Sequence, residues 1–253
     1  MLTLEYSAQL NPVRKRISSL RQRRVPGPRP MHYLLDRVRE ELEERIEMTG
    51  SWGEPSVYLG FQGESPILPE RWTEKCSLLE ADCLGDLTSP CDLLVISLQC
   101  AWFNHEEWLD LALDLLRPGG KLVFASFGPD TLFELSEAWR RIDPLPHVHE
   151  FVDMHHLGDA LVKRGFGRPI LDADWMGVEY EDLDLLMDDL RGAGFYNVAP
   201  NRRRTLMGRR RLQSLYDQLR DTKPLCVTYE IIYGYAEAPK APGGKIRVEP
   251  PKR

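Results

Sequence analysis

Hydrophobic and polar positions alternate along the chain with two different periods. In residues 32–48 the apolar side chains recur every three or four positions among Arg and Glu, which predicts an amphipathic helix that ends at Gly50. Residues 55–60 form a short apolar run typical of a strand, whereas two prolines bar residues 61–69 from a regular helix. The first part of the pattern therefore predicts a helix, a strand and a loop.

The middle of the chain has the order strand, helix, strand. Residues 76–82 and 91–97 predict two strands, and the second is an apolar run of the kind found inside a parallel sheet. Residues 105–116 predict a crossover helix that is stopped by Arg-Pro-Gly-Gly at 117–120, and residues 121–127 return as a strand. This order indicates an α/β fold with a parallel sheet.

Helices and strands continue to alternate in the last part of the chain. They are helices from residue 130 and over 154–165, 183–190 and 212–219, and strands over 169–180 and 227–235. Tyr229, Tyr233 and Tyr235 share one face of the last strand, which favours a place in the core or in a pocket lining.

Composition and charge exclude several classes of protein. The 253 residues are 42% hydrophobic and carry a net charge of −6, which argues against a general nucleic-acid binder. No apolar run approaches the roughly 20 residues that span a bilayer, and no secretory signal is evident. The five cysteines lack CxxC spacing, so reduced thiols in a cytoplasmic protein are expected.

The charge distribution suggests three segments. Residues 1–30 hold seven basic residues against the single acid Glu5, which predicts a basic arm; an organelle transit peptide is the alternative, although serine is scarce. Residues 31–238 are expected to form the α/β domain, with a helical insertion for substrate or carrier at about 170–222. Residues 239–253, rich in Pro, Gly and Lys, predict a loose tail.

Several ordered motifs resemble one family. Residues 92–97 followed by Leu-Arg-Pro-Gly-Gly at 116–120 are similar to the second half of class I S-adenosylmethionine (SAM) methyltransferases. Residues 127–135, 147–161 and 189–234 resemble, more specifically, the malonyl-acyl-carrier-protein O-methyltransferases of biotin synthesis. The resemblance covers about residues 90–238 and implies a Rossmann-like sheet with helices on both faces.

The resemblance implies methyl transfer from SAM to the free carboxyl of a malonyl thioester on acyl carrier protein. A carboxylate is already a nucleophile, so catalysis would rest on holding it in line with the methyl sulfonium rather than on an acid-base triad. A cationic clamp is therefore expected. Arg202, Arg204 and Arg209 are the candidates for the substrate or its acidic carrier, against the simpler interpretation of a solvated basic face.

The cofactor half departs from the family pattern. Gly60 fits the glycine-rich turn, but Tyr58 replaces its acid, and only 22 residues separate Gly60 from Asp82, about half of what the family uses. We therefore expect a truncated sheet that lacks a strand-helix unit, with Gly60, Glu80, Asp82 and Ser97 as the remaining SAM contacts. Trp102 is expected near the methyl-transfer site, or simply in the core.

Other hypotheses remain open at this stage. The chain is either a divergent methyltransferase or an inactive pseudo-methyltransferase that acts as a scaffold and dimerises with itself or with an active relative. Respiratory complex I assembly factors share the late motifs and give a third hypothesis, although no iron ligands are evident. Metal binding is disfavoured for His147, His149, His155 and His156, because no HExxH spacing is present and adjacent histidines cannot share a helix face.

Overall fold

Six strands form one sheet at the centre of the protein, seen in a computed structural model. It describes residues 30–50, 56–59, 76–79, 90–102, 104–192, 195, 197, 199, 201–203, 205, 207–219 and 224–240. The strands are β1 (Ser56–Leu59), β2 (Cys76–Leu79), β3 (Cys91–Ser97), β4 (Leu116–Phe127), β5 (Gly167–Tyr180) and β6 (Leu225–Glu237).

The sheet order is β2-β1-β3-β4-β6-β5. Strands β1 to β4 are parallel, and β6 is antiparallel to both of its neighbours, β4 and β5. Among the described strands, only β2 lies outside β1 at that edge. Residues 60–75 and 80–89, where a further strand-helix unit would lie, are outside the description, so the expected truncation stays a prediction.

Six helices of the described residues pack on the sheet. They are α1 (Pro30–Met48), α2 (His105–Leu115), α3 (Phe133–Arg140), α4 (Met154–Lys163), α5 (Leu183–Gly192) and α6 (Arg209–Leu219). Side chains cap the N-termini of two of these helices. At α2 the Asn104 side chain accepts a hydrogen bond from the Glu106 N–H, and at α4 the Asp153 side chain accepts hydrogen bonds from the N–H groups of His155 and His156. None of the described helices combines the length and apolar character needed to cross a membrane.

The helices lie on both faces of the sheet, as predicted. The apolar stripe of α1 packs on one face against Leu93 and Val95 of β3, together with side chains of α3, α5 and α6. Leu94 and Ile96 point to the other face, where they meet α2 and α4. Both faces of β3 are thus buried, which explains its apolar run, and each such side chain contributes about 1.5–3 kcal/mol on burial.

Two predicted boundaries need correction. Residues 117–120, expected as a stop before the strand, belong to β4, which follows α2 directly. The helical insertion was placed too early at 170, because residues 167–180 form the edge strand β5, paired with β6 along its length. The helical cap that joins β5 to β6 starts at α5; the wider division into arm, domain and tail remains a prediction.

Candidate functional site

The carboxyl ends of the parallel strands meet at one edge of the sheet. From β1 the chain continues to β2 on one side of β1 and then crosses to β3 on the other side. The strand order therefore reverses between β1 and β3, and such a topological switch point is the usual ligand crevice of an open α/β sheet. Leu59, the last residue of β1, pairs with Leu79 on one side and Ile96 on the other. The carboxyl ends of the adjacent strands β2, β1 and β3 therefore lie side by side at this crevice.

Three predicted cofactor residues belong to these strand ends. Ser97 is the last residue of β3 and is 5% exposed. Gly60 and Glu80 directly follow β1 and β2 in sequence. They lie outside the described residues, as does Asp82, so their role as SAM contacts stays a prediction.

The turn after β3 is held tightly. Leu98 is fully buried and adopts a left-handed conformation with φ of 57°, while its N–H donates to the Ala125 carbonyl at 2.8 Å. The chain then forms a short 3-10 helix, Gln99–Trp102. Trp102 thus follows the end of β3 closely, although its side chain is outside the description, so its place near the methyl-transfer site stays a prediction. A non-glycine residue in this conformation is strained, and such strain is typical of functional sites.

A second turn follows β4. The N–H groups of Gly128 and Asp130 donate to the Glu230 carbonyl at 2.9 Å and to the Glu230 carboxylate at 2.8 Å. A Cβ at Gly128 would lie 2.2 Å from Glu230 Cδ, so only glycine leaves room for this carboxyl group. Burial raises the pKa of Glu230, although the hydrogen bond from the Asp130 N–H acts in the opposite direction and lowers it. The turn fixes the start of α3.

A cavity of about 180 Å³ lies between α3, the segment 147–151 and α5. Its wall is mainly apolar and includes the buried side chains of Leu135, Leu190 and Phe195. His149 also lines it and forms a hydrogen bond with the backbone of Ala101, in the turn after β3. The cavity is therefore adjacent to the carboxyl end of the sheet.

Asp143 organises a charged cluster that reaches the cavity wall through His147. Asp143 is buried, with 2% of its surface exposed. Its carboxylate accepts hydrogen bonds from Arg203 Nη2 at 2.8 Å and from Arg203 Nε at 3.0 Å. The same carboxylate lies 3.2 Å from His147 Nε2 and 3.7 Å from Arg211 Nε. Burial alone would raise its pKa, but the Leu145 N–H and the Arg203 guanidinium together hold the pKa of Asp143 at about 2. His147 in turn stacks on Trp139 with ring centroids 3.9 Å apart.

A larger cavity, about 540 Å³, lies at the opposite end of the strands. Its charged lining is already paired within the protein: Arg45 binds Asp172, and Arg168 lies 3.4 Å from Glu237. Because ligands of open α/β sheets bind at the carboxyl ends of the strands, position favours the smaller cavity as the functional one.

Comparison with known proteins identifies the family. No family model matches the chain. A malonyl-[acyl-carrier protein] O-methyltransferase of Xylella fastidiosa (strain M23) is 44% identical over 206 residues, which cover 77% of this chain and 70% of that protein. The chain belongs to the malonyl-[acyl-carrier protein] O-methyltransferase family. The resemblance stated from the motifs is confirmed.

Other relatives match over a shorter length. The family member of Laribacter hongkongensis (strain HLHK9) is 40% identical over 154 residues, covering 59% of this chain and 52% of that protein. The chain thus spans about half the length of several curated relatives that it matches. Among solved structures, a candidate methyltransferase from Bacillus halodurans C-125 has the same fold, with a TM-score of 0.53 at 12% identity and coverage of 78% of this chain and 98% of that one.

Two of the predicted substrate residues, Arg202 and Arg209, lie in the helical cap between β5 and β6. Arg202 is half-buried and donates to the Ala199 carbonyl at 2.8 Å, whereas Arg209 is the exposed first residue of α6. Ser97 lies on another element, at the end of β3. Arg204 is outside the described residues. The substrate roles of these residues remain predictions.

Two features of the site escaped sequence reasoning. Arg203 lies between the candidates Arg202 and Arg204 in sequence but was not singled out, and its partner Asp143 carried no motif signal. His149 was noted only as one of four histidines. Within the described part of the chain, no group of three or more His, Cys, Asp or Glu side chains is arranged to hold a metal ion. Instead, His147 and His149 serve the wall of the cavity, and His156 contacts Asp153 at the start of α4.

Proposed function

We propose that this chain transfers the methyl group of SAM to the free carboxyl group of a malonyl thioester carried by acyl carrier protein, the reaction named for its relatives. The observation that carries the proposal is the 44% identity to a curated family member over 70% of that protein's length. The strand ends at the switch point are consistent with it, because this is where such sheets bind their cofactors.

The proposed SAM site is the crevice at these strand ends, and one described residue supports it. Ser97 supplies a buried hydroxyl at the end of β3, and the strained turn at Leu98 brings backbone close to the crevice. Gly60 would allow close backbone approach, and Glu80 or Asp82 would bind the ribose hydroxyls or the adenine. When bound, SAM supplies an electrophilic methyl group on its sulfonium, so the chain itself needs no nucleophile.

The task of the protein is then to position the acceptor carboxylate. A carboxylate is ionised at neutral pH, so no general base is required, and alignment with the methyl group is the main source of rate. Arg202 and Arg204 are proposed to hold this carboxylate through charge-assisted hydrogen bonds. The exposed Arg209 is proposed to attract the acidic carrier protein, which increases the rate of encounter more than the final affinity.

The proposed partner is acyl carrier protein, and the proposed location is the cytoplasm. Cys91, Cys100 and Cys226 are free thiols in the structure, as expected in a reducing compartment. We further propose that the protein forms a dimer, with itself or with an active relative, in which the second chain completes the cofactor site at the β2 edge of the sheet.

Methyl transfer from labelled SAM to malonyl-carrier is the direct test. We expect label in the malonyl-carrier and none in acetyl-carrier, which lacks the free carboxyl group. Equal labelling of the two would contradict the proposed acceptor. If neither is labelled while the protein still retains malonyl-carrier on a column, the inactive binding protein becomes the better hypothesis.

A further inference from the structure

Two side-chain contacts tie the cap to the end of α3. The Asp143 N–H donates to the carbonyl of Trp139, in the last turn of α3, at 2.9 Å, so the backbone of Asp143 is fixed to this helix. The Asp143 Oδ2 atom accepts from both Nε and Nη2 of Arg203, at 3.0 and 2.8 Å. Nearby, the Asn197 amide donates to the Pro146 carbonyl at 2.8 Å. The part of the cap that holds Arg203 is therefore anchored to α3.

We propose that Asp143 is a positioning residue for the substrate: by holding Arg203, it sets the place of the neighbouring Arg202 and Arg204, which bind the acceptor carboxylate. This role rests on the proposed function and adds the contact that aligns its carboxylate clamp. Arg203 is directed to Asp143 and acts through its neighbours rather than by touching the substrate.

The covalent chain transmits the position of Arg203 to the residues on either side. Consecutive Cα atoms are about 3.8 Å apart, so a fixed Arg203 confines the points from which Arg202 and Arg204 extend. Ordering an unanchored Arg side chain costs rotamer entropy, and a misplacement of about 1 Å can cost about 100-fold in rate. An anchor in the middle of the clamp reduces both losses.

The backbone beside Arg202 is ordered as well. The Ala199 carbonyl accepts from the Arg202 N–H at 3.2 Å and from Arg202 Nη1 at 2.8 Å. The Ala199 N–H in turn donates to Asn197 Oδ1 at 2.9 Å. Arg202 thus extends from a backbone that the contacts of Asn197 and Arg203 with the end of α3 fix on both sides.

Helix α3 connects this anchor to the carboxyl end of the sheet. Its eight residues span about 12 Å and follow the turn at Gly128 and Asp130 after β4. At the start of the helix, the Leu132 N–H donates to the Thr228 carbonyl of β6 at 2.7 Å. The position of Arg203 is therefore set, through one short helix, relative to the strand ends where SAM is proposed to bind.

The Asp143 carboxylate orders Arg203 more strongly than its other arginine neighbour. Its Oδ1 atom accepts from the Leu145 N–H at 3.1 Å, which fixes the orientation of the carboxylate. The Arg203 side chain is 22% exposed and forms two hydrogen bonds to Oδ2, whereas Arg211 is 43% exposed and its Nε lies 3.7 Å away. Arg211 is therefore a matched control for Arg203.

Two lysine variants test the anchor. Arg203→Lys keeps the charge but removes the guanidinium fork, and Arg211→Lys makes the same change at the control position. Binding of malonyl-carrier and acetyl-carrier is measured by calorimetry on the full chain with S-adenosylhomocysteine present. We expect Arg203→Lys to reduce the preference for malonyl-carrier at least about tenfold, and Arg211→Lys to change it less than about twofold.

The preference between the two carriers separates positioning from a general loss of structure. Acetyl-carrier lacks the free carboxyl group, so Arg203→Lys should change its affinity, and that of S-adenosylhomocysteine, less than about twofold. An equal loss for malonyl-carrier and acetyl-carrier would show a structural role alone and overturn the proposal. An unchanged preference would also overturn it.

A double-mutant cycle tests whether Asp143 acts through Arg203. Asp143→Asn should reduce the preference as much as Arg203→Lys does. The double variant should lose no more than either single variant, because the same contact is removed in all three. Additive losses would overturn the assignment of Asp143.

The outcomes separate this inference from the proposed function. A preference for malonyl-carrier that depends on Arg203 but not on Arg211, without methyl transfer, would support the anchor and refute the activity. Methyl transfer to malonyl-carrier with the same KM in wild type and Arg203→Lys would support the activity and overturn the anchor.

Discussion

The two sides of the sheet are built very differently. Strands β5 and β6 have 14 and 13 residues and pair along almost their whole length, whereas β1 and β2 have four residues each. The long pair carries the cap and the cavity, and the short pair leads into the proposed cofactor crevice. The comparison teaches that evidence for family membership and evidence for activity come from different parts of this molecule.

The long-strand side also contains buried polar networks. The Tyr180 hydroxyl donates to Asp189 at 2.9 Å and lies 3.3 Å from the Tyr229 hydroxyl, and all three residues are almost fully buried. The network joins β5 and β6 to α5, which forms one wall of the cavity. If the comparison holds, substitutions in these buried polar networks should change stability, whereas substitutions at the crevice should change SAM binding.

The largest effect is expected at Asp143. Asp143→Asn removes the buried charge that pairs with Arg203 and lies near Arg211, so the partly buried Arg203 guanidinium loses its charged partner. We expect unfolding in urea to show a loss of about 3 kcal/mol, typical of a buried pair with one partner removed. Asp188→Asn, which breaks an exposed pair with Arg191, is the control and should cost at most about 0.5 kcal/mol. Similar losses for the two variants would refute the special role of Asp143.

A smaller loss is expected at Tyr180. Tyr180→Phe removes a hydroxyl donor from the buried Asp189 carboxylate, which should cost about 1–3 kcal/mol in the same measurement. Tyr235→Phe removes a hydroxyl that donates to Glu237 at 3.1 Å in a partly exposed position, so it should cost less than 1 kcal/mol. The reverse ranking would show that the network does not hold α5.

The pH dependence of stability gives the next effect. The pKa of Asp143 is about 2 in the folded protein against an ordinary 3.8, so its ionised form stabilises the fold above about pH 4, and that stability is lost as the pH falls towards 2. Each pKa unit corresponds to about 1.4 kcal/mol of stability. With a reduction for solvent screening, the free energy of unfolding should fall by about 1–2 kcal/mol when Asp143 is protonated. Urea unfolding between pH 5 and pH 2 should show this extra decrease in wild type relative to Asp143→Asn, and parallel curves would contradict it.

The smallest effect is expected at the crevice. Ser97→Ala removes one hydroxyl and should weaken SAM binding by about 1 kcal/mol, roughly fivefold, while the free energy of unfolding changes by less. Ser56→Ala at the first residue of β1, an equally small change at another buried serine and at the opposite end of the strands, should leave SAM affinity unchanged. Equal effects of the two variants on SAM affinity would remove Ser97 from the site.

Much of the architecture was predictable because the local pattern determines it. The apolar run of β3 and the amphipathic spacing of α1 each report burial directly, and both elements lie where the pattern predicts them. The start of the helical insertion was harder to place, since β5 has no partner on its outer side among the described strands and its residues are mostly exposed or half-buried.

The polar part of the site was less predictable for a different reason. Asp143 and Arg203 are 60 residues apart, and Tyr180 and Tyr229 are 49 apart, so their pairing depends on how the cap folds over the sheet. No spacing rule links such residues. The predicted cofactor residues followed instead from strand ends, and topology places the ends of β1, β2 and β3 side by side.

Calorimetric titration with SAM, repeated with S-adenosylhomocysteine, tests the central claim most directly, because it examines the short-strand edge without requiring catalysis. The account predicts saturable binding of both ligands, weakened by Ser97→Ala. No binding heat at ligand concentrations approaching millimolar, from protein whose urea unfolding is cooperative, would contradict the claim that this chain is a SAM-dependent methyltransferase.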